Sequence, residues 1–374
     1  MPSAMSLITV FALSAVLHLY IGVRLVSALP AAAGVALALV LAASSVLVPS
    51  GLLARRRLRP PLADRLTWAG MLCMGLFSSL FVLTLLRDLG LAALRLAGGP
   101  DLAAVTAAAV TVLALALTVV GYLHARRPAR VRRITVPLAN LPEALAGFRI
   151  VQISDIHVGP TIKAPYLQAI VERVNRLEAD VVAITGDLVD GSVADLRSHV
   201  APLAQLRARH GVYFVTGNHE YYSGVHGWVA ELDRLGIRVL HNEHVVLSHD
   251  GAPLVLAGVP DFSGHRFDPD HRSDPAAAVA GAPADAPRVL LAHQPRSAAA
   301  AAQAGFHLQL SGHTHGGQFL PWNYFVPLQQ PFTAGLHRLG QLSVYVSRGT
   351  GYWGPPKRLG APSEIAELRL APSA

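Results

Sequence analysis

Two histidines, His313 and His315, stand one residue apart in the stretch LQLSGHTHGGQ, residues 308–318. Glycines at positions 312, 316 and 317 surround the pair. Imidazole nitrogens are common ligands of divalent cations, and two of them after one strand can point at neighbouring positions. Backbone that approaches an ion or a phosphate closely, at positive φ, favours residues without Cβ. The stretch therefore indicates a metal site, although a solvated loop would also explain it.

Aspartate, asparagine and histidine also follow four other short apolar runs. The runs are FRIVQISD, ADVVAITGD, GVYFVTGNH and RVLLAH. The polar residues at or just beyond their ends are, in chain order, Asp155, His157, Asp187, Asn218, His219 and His293. Taken singly, such residues are typical of turns or helix starts. Because ligands bind beyond the carboxyl ends of strands in open α/β sheets, the whole series predicts one shared metal site.

The residue types define the chemistry of this site. Carboxylate oxygens, an amide oxygen and imidazole nitrogens suit Mn, Fe, Zn or Mg. The single cysteine, Cys73, excludes an intrachain disulfide and a cysteine-rich zinc site. One aspartate can bridge two cations, and two cations about 3.5–4 Å apart clamp an in-line displacement at phosphorus. A histidine that is not bound to metal can then protonate the leaving oxygen.

Strands and helices alternate from about Ile134 onward. The apolar runs are short and rich in Val, Ile and Leu, as buried strands are. Helical spacing of apolar residues over 166–177 and 193–207 separates the first three runs, which predicts βαβ units with parallel pairing. Residues 237–259 predict several short strands of a second sheet, and residues 261–287 predict a loop or an excursion from the sheets. The expected fold class is therefore α/β.

The first third of the chain has the composition of a membrane domain. The sequence is 14% charged, whereas a typical soluble domain has about 25% charged residues. Four apolar stretches, roughly 6–23, 29–53, 66–86 and 102–123, approach the roughly 20 residues that cross a bilayer. A signal peptide is the alternative for the first stretch, but no Lys or Arg precedes it. We predict an all-α membrane domain with four transmembrane helices over 1–133, and a second domain over 134–374.

The arginines orient the predicted spans. Residues 1–133 carry a net charge of +10, whereas residues 134–374 carry −2. Arginines cluster after the second and fourth stretches, at Arg55, Arg56, Arg57, Arg59 and Arg65 and at Arg126, Arg127, Arg130, Arg132 and Arg133. Because positive charge marks the cytoplasmic side, we predict a multi-pass inner-membrane protein whose N-terminus and second domain face the cytoplasm. Binding of anionic lipid headgroups is an alternative use of these arginines.

The ordered motifs resemble a known family. DIHVG, TGDLVD, TGNHEYY, LLAHQP and LSGHTHGGQ are similar, in this order, to the calcineurin-like metallophosphoesterase superfamily. The tail SRGTGYWGPPKRLGAPSEIAELRL further resembles the bacterial membrane-associated branch of that superfamily. The resemblance covers about residues 134–370 and implies a four-layer α/β/β/α sandwich. The apolar stretches lie outside it, so the membrane prediction depends on hydropathy alone.

The resemblance also implies roles for eight residues and a cofactor of two divalent metal ions. Seven residues would be metal ligands: Asp155, His157 and His315 for a first cation, Asn218, His293 and His313 for a second, and Asp187 as the bridge. His219 would lie beside the phosphate, as general acid or as stabiliser of the transition state. The metal itself would be Mn, Fe, Zn or Mg.

Other residues near these motifs allow two interpretations each. Asp190 is either a residue that orients a ligand or a helix N-cap, and Glu220 is either a cap or an acceptor that supports the ligands. Tyr221, Tyr222 and Trp353 either line the substrate site or serve packing. Arg348 pairs either with phosphate or with a structural carboxylate. Further histidines, among them His199, His241, His265 and His271, are expected at the surface or in the core.

Three classes of function follow. The leading hypothesis is a membrane-anchored phosphohydrolase that acts on a monoester, diester or diphosphate, including lipid-linked ones, because an anchor concentrates the enzyme near lipid substrates. The alternative is a non-catalytic sensor or scaffold that binds a phosphorylated ligand through its metal site. A transporter is weaker, because apart from His18 the stretches have few ionisable residues in their interiors. Nucleic acid is not an expected partner, because the second domain has no positive excess.

Overall fold

The computed structural model describes residues 7–373, without the side chain of Arg56. The chain divides into two compact units. One comprises the residues up to Arg126 together with Gly354–Lys357, and the other comprises Arg127–Trp353 and the residues from Arg358 onward. The expected domain boundary between residues 133 and 134 stays a prediction. Ser6, where the first apolar stretch begins, lies outside the described residues. The N-terminus, which is predicted to face the cytoplasm, lies outside them as well.

Long apolar helices make up the first unit. They are α1 (Leu7–Leu25), α2 (Ala31–Arg57), α3 (Leu62–Leu96) and α4 (Ala103–Arg126). Each is long and apolar enough to cross a membrane, with a mean hydropathy between 1.8 and 2.4 in its apolar window. Helix α3 extends well beyond the predicted 66–86. Its charged residue Asp88 is paired with Arg24 at 2.8 Å. His18 is also satisfied, since its Nε2 lies 2.8 Å from the Ser44 hydroxyl.

The second unit contains two six-stranded sheets. Its strands are β1 (Arg130–Leu138), β2 (Arg149–Ile153), β3 (Val181–Ile184), β4 (Val212–Phe214), β5 (Arg238–Val239), β6 (Glu243–His249), β7 (Ala252–Gly258), β8 (Arg288–Leu291), β9 (Leu308–Ser311), β10 (Gly335–Leu339), β11 (Leu342–Val346) and β12 (Glu364–Pro372). The first sheet has the order β1-β12-β2-β3-β4-β5, and the second has the order β10-β11-β9-β8-β7-β6.

Parallel pairing joins the strands that end in the polar motifs. In the first sheet, β2, β3 and β4 run parallel. In the second sheet, β8 and β9 run parallel as well. These five strands are the five apolar runs of the sequence, so their prediction and the predicted parallel pairing of the first three are confirmed. Parallel neighbours end at the same edge of a sheet, which brings the residues after them together.

Two apolar cores hold the layers of this unit together. The first core lies between the sheets and includes Ile150 and Val181 of one sheet and Leu254 and Leu310 of the other. The second core packs α9 (Pro275–Val279) and α10 (Ala298–Gln303) against the other face of the second sheet. The crossover helices α5 (Ala164–Asn175), α6 (Val193–Val200) and α8 (Val225–Arg234) supply the remaining layer, and α7 (Asn218–Ser223) is a short helix before α8. The α/β/β/α sandwich implied by the resemblance is thus confirmed.

Three local predictions differ from the structure. The first is the loop predicted over 261–287, because helix α9 lies within it. The helix predicted over 193–207 ends at Val200 and continues as a 3₁₀-helix, Ala201–Gln205. Pro202 explains the change, because it has no N–H to continue the α-helical hydrogen bonds. The strand Arg238–Val239 pairs with β4 in the first sheet, so only part of 237–259 belongs to the second. Its short length and exposed Arg238 are typical of an edge strand.

Candidate metal centre

Asp155, His157 and His315 form one cluster at the common edge of the sheets. The Nε2 atoms of His157 and His315 lie 3.1 Å apart. His315 Nε2 also lies 3.5 Å from Asp155 Oδ1. The ligand atoms of the three residues all lie within 4.8 Å of one another, and all three residues are buried. This donor set can hold a divalent cation.

Asp187, His293 and His313 form a second cluster of the same kind. His293 Nε2 lies 3.2 Å from Asp187 Oδ2, and it lies 3.2 Å from His313 Nδ1. The other ring nitrogen of His293 is 2.7 Å from the carbonyl oxygen of Thr185. Because a carbonyl only accepts, Nδ1 carries a proton, so Nε2 is the nitrogen that is left to face a metal.

One carboxylate lies between the two clusters. Asp187 Oδ2 is 3.2 Å from His293 Nε2 and 3.9 Å from His157 Nε2. Its other oxygen, Oδ1, accepts a hydrogen bond of 2.9 Å from the backbone N–H of His219. Asp187 therefore faces both sets of ligand atoms, as a bridging carboxylate must.

Two buried acceptors in this region are consistent with bound cations. Asp155 Oδ2 and Asn218 Oδ1 are buried and have no hydrogen-bond partner among the described residues. A buried oxygen without a partner costs about 1–3 kcal/mol. A cation beside each oxygen would offset this cost, and both atoms belong to predicted ligands. The residues present therefore fit divalent metal ions.

The backbone around the clusters is strained where the ligands project. Five of the seven predicted ligands adopt left-handed backbone conformations, with φ between 51° and 70°: Asp155, His157, Asp187, His313 and His315. Such conformations cost on the order of 1–3 kcal/mol each and concentrate at functional sites. Gly316 and Gly317 have positive φ, as expected. A Cβ at Gly312 would instead collide with Asp155 Oδ2, so this glycine allows a close approach.

Asp190 orients two of the histidines. Its Oδ1 atom lies 3.1 Å from His157 Nδ1 and 2.6 Å from His219 Nδ1. The Nε2 atoms of both rings are thereby turned toward Asp187. The N-cap of helix α6 is Ser192, so of the two interpretations of Asp190 the structure supports the orienting one.

Glu220 supports the backbone beneath the centre. Its Oε2 accepts hydrogen bonds from the N–H groups of Gly217 at 2.7 Å and Asp187 at 3.0 Å. Its Oε1 accepts from Leu188 at 2.8 Å. Burial, together with the charge of Asp187, raises the pKa of this carboxyl to about 8. Glu220 thus serves both as a cap and as an acceptor that fixes the loop carrying Asp187.

Replacing Glu220 by glutamine is expected to destabilise the second unit. The amide NH₂ would face N–H donors that now have a carboxyl oxygen as acceptor. Leaving such donors unsatisfied costs about 2 kcal/mol, which corresponds to a drop of about 5 °C in the melting temperature. Thermal unfolding of Glu220→Gln and of Glu143→Gln, an exposed control, measures the effect. Equal melting temperatures for both variants would contradict this role.

Opposite charges shift the pKa values in the centre. Burial raises the pKa of Asp187, but His293 and His219 outweigh it and hold that pKa well below its usual range. Burial lowers the pKa of His293, yet Asp187 and Asp155 raise it well above its usual value. Burial opposes protonation of His219 too, but Asp187 and Asp190 raise its pKa to about 9.

Metal binding is therefore expected to release protons. At neutral pH the metal-free His293 carries a proton, since its pKa lies well above 6.5. It must lose that proton to become a ligand, so metal affinity should fall as the pH is lowered. His313 releases none, because burial lowers its pKa to about 3. Calorimetric titration of Mn²⁺ in two buffers with different ionisation enthalpies measures the release. Heats that do not depend on the buffer would contradict the expectation.

The structure distinguishes between the two interpretations of the aromatic residues and Arg348. Tyr222 and Trp353 are exposed, and their rings lie 5.2 Å and 5.7 Å from the ring of His219. Tyr221 is buried, and its hydroxyl lies 2.8 Å from His271 Nδ1. Arg348 forms an ion pair of 3.2 Å with Glu364. Tyr222 and Trp353 thus border the centre, whereas Tyr221 and Arg348 make structural contacts.

Sequence reasoning missed Arg358. Its side chain is fully buried. It donates a hydrogen bond of 3.0 Å to the carbonyl oxygen of His315, and another of its nitrogens lies 3.2 Å from His315 Nδ1. Further bonds run to the carbonyl oxygens of Gly351 and Arg348. Arg358 thereby ties three loop segments together around a predicted ligand. Its one sequence signal is its place in the tail that resembles the membrane-associated branch.

Comparisons with known proteins agree with the motifs. The sequence profile of the calcineurin-like phosphoesterases matches residues 148–317. A transmembrane protein with metallophosphoesterase domain from Danio rerio is 40% identical over 322 residues, which cover 81% of this chain and 74% of that protein. A protein of the same description from Bos taurus is 46% identical over 68% of this chain. The chain spans 60% of the bovine protein's length.

Bacterial relatives show the same likeness. An uncharacterized metallophosphoesterase of Campylobacter jejuni is 33% identical over 315 residues, which cover 81% of this chain and 82% of that protein. The likeness is thus shared by vertebrate and bacterial proteins and extends beyond one bacterial branch. Long apolar helices precede the matched region here, as expected of a transmembrane protein. The chain is therefore a membrane protein that belongs to the calcineurin-like metallophosphoesterases, a family of metal-dependent phosphoesterases.

Proposed function

We propose that this protein is a membrane-anchored phosphohydrolase with a dinuclear metal centre. The observation that carries the proposal is the position of Asp187, whose Oδ2 faces His293 on one side and His157 on the other. A carboxylate in this position can bridge two cations. When bound, two divalent cations would supply Lewis-acid stabilisation of the phosphate and a water with a lowered pKa.

The proposed ligands follow the two clusters. The first cation would be held by Asp155, His157 and His315. The second would be held by Asn218, His293 and His313, with Asp187 shared by both. Asn218 is included because its Oδ1 is buried without a hydrogen-bond partner in the described chain. The cation would be Mn, Fe, Zn or Mg, since nitrogen and oxygen donors of this kind suit each of them.

His219 is the proposed general acid. Its raised pKa of about 9 keeps the imidazole protonated at neutral pH in the metal-free protein. Its Nδ1 is engaged by Asp190, which leaves Nε2 to donate a proton to the leaving oxygen. Tyr222 and Trp353 are exposed beside it, so they are the side chains that a substrate group would contact first.

The proposed substrate is a phosphodiester or diphosphate carried by a lipid headgroup. A membrane anchor raises the effective concentration of the centre near such molecules. Exposed aromatic rings beside His219 suit the boundary between a lipid and its polar head. A soluble phosphoester and a phosphomonoester are the competing substrates, and a sensor that binds without cleavage is the competing function.

Turnover in membranes separates these possibilities. Full-length protein in lipid nanodiscs would be incubated with extracted bacterial lipids and Mn²⁺, and phospholipids would be profiled by mass spectrometry. The proposal predicts loss of a lipid phosphoester in the wild type and none in Asp187→Asn. Hydrolysis of bis-p-nitrophenyl phosphate without any lipid change would limit the substrate to soluble esters. Metal-loaded protein that hydrolyses neither would contradict the enzyme proposal.

We further propose that the second unit faces the cytoplasm from the inner membrane. The arginine clusters after the second and fourth helices support this orientation. Protease added to intact spheroplasts should leave the second unit uncut, whereas protease added after lysis should digest it. Digestion in intact spheroplasts would reverse the proposed topology.

A further inference from the structure

A second cluster of histidine and aspartate lies apart from the proposed centre. It consists of His226, near the start of helix α8, and Asp268 and His271, in the loop over 261–274. His226 Nε2 lies 3.1 Å from Asp268 Oδ2, and His271 Nε2 lies 3.7 Å from the same oxygen. The three ligand atoms lie within 4.8 Å of one another.

The far side of each loop residue is held in place. Asp268 Oδ1 accepts a hydrogen bond of 3.0 Å from the backbone N–H of Asp270. His271 Nδ1 lies 2.8 Å from the hydroxyl of the buried Tyr221. These contacts turn Asp268 Oδ2 and His271 Nε2 toward His226. Metal-binding histidines are typically held in this way through their second nitrogen.

We propose that His226, Asp268 and His271 form a third metal site, which binds Zn²⁺. Two imidazole nitrogens and one carboxylate oxygen are a donor set that zinc takes up in proteins, with water in the fourth position. The side chain of His226 is 74% exposed, so the site is accessible to an ion from solvent. A simple ion pair between His226 and Asp268 is the competing explanation of the geometry.

The neighbours of His271 oppose a positive charge on its ring. The ring of His241 lies 4.1 Å from that of His271, and the ring of His226 lies 5.4 Å from it. Burial lowers the pKa of His271, and these two histidines lower it further against the opposing effect of Asp268. A cation at the site would also bring the three side chains together without the need for a proton.

The site adjoins the proposed catalytic histidine through aromatic rings. Phe267, next to Asp268 in the chain, packs 5.6 Å from Tyr222. Tyr222 in turn packs 5.2 Å from His219. A bound zinc ion would join the loop to helix α8 and so fix Phe267 against Tyr222. The third site thereby holds the border of the substrate region in one position.

Zinc stoichiometry tests the site without reference to activity. Full-length protein in detergent would be dialysed against a series of free Zn²⁺ concentrations, and bound zinc would be measured by elemental analysis. The wild type should bind about one zinc ion more than His226→Asn or His271→Asn. His265→Asn, a nearby histidine outside the cluster, is the matched control and should bind as the wild type does.

A visible spectrum gives a second readout. Co²⁺ in place of zinc should produce d–d absorption that His226→Asn reduces and His265→Asn leaves unchanged. His226 lies on the surface, so its replacement keeps the fold even if His271→Asn disturbs Tyr221. Equal zinc content in the wild type and His226→Asn would overturn the proposal and leave an ion pair. An equal loss of bound zinc in His265→Asn would overturn the proposal as well, because zinc binding would then be unspecific.

Discussion

Asp187→Asn is expected to abolish turnover and to lower the metal content of the protein. The variant keeps the size of the side chain but removes the negative charge that faces His157 and His293. Without it, two cations close together would lack a shared anion. A loss of about 4 kcal/mol in transition-state stabilisation corresponds to a rate lower by roughly 10³-fold. Hydrolysis of bis-p-nitrophenyl phosphate and elemental analysis of the same sample measure both effects.

A matched control separates this effect from a general loss of charge. Asp233 is exposed on helix α8, so Asp233→Asn should keep both the wild-type rate and metal content. Asp187→Asn protein that retains two metal ions and more than about a tenth of the rate would contradict a bridging role.

His219→Ala is expected to lower the rate while the metal content stays unchanged. A general acid contributes about 10²–10⁴-fold to a rate. The ring should not be required for metal binding, because the two proposed ligand sets are complete without it. The rate with an activated aryl ester should fall less than the rate with an alkyl ester, since an aryl oxygen needs less protonation.

The cluster geometry also allows His219 to be a metal ligand instead of a general acid. His157, Asp187 and His219 form a cluster that can hold a cation. Loss of a metal ion from His219→Ala would therefore show that His219 is a ligand instead of an acid. His199, on helix α6 outside the centre, provides the control, because His199→Asn should change neither rate nor metal content.

Much of the fold could be predicted because its signals are local. Each of the five strands is a short run of Val, Ile and Leu that ends at a polar motif, and parallel pairing then places those motifs at one edge. The long apolar helices were equally clear from hydropathy. Strand β5 was harder to assign, because two residues carry no periodicity that tells one sheet from another.

The support around the proposed ligands could not be predicted in the same way. Asp190 and the two histidines it orients are about 30 residues apart in the chain, and no spacing rule links them. Arg358 reaches His315 across 43 residues. The left-handed conformations of Asp155 and His313 are also invisible in the sequence, because the surrounding structure imposes them.

Anomalous X-ray diffraction from crystals of the Mn²⁺-loaded protein tests the dinuclear centre most directly. We predict two anomalous peaks about 3.5–4 Å apart, one beside Asp155, His157 and His315, the other beside Asn218, His293 and His313. Asp187 should contact both peaks. A single peak, or two peaks that do not share Asp187, would contradict a dinuclear centre.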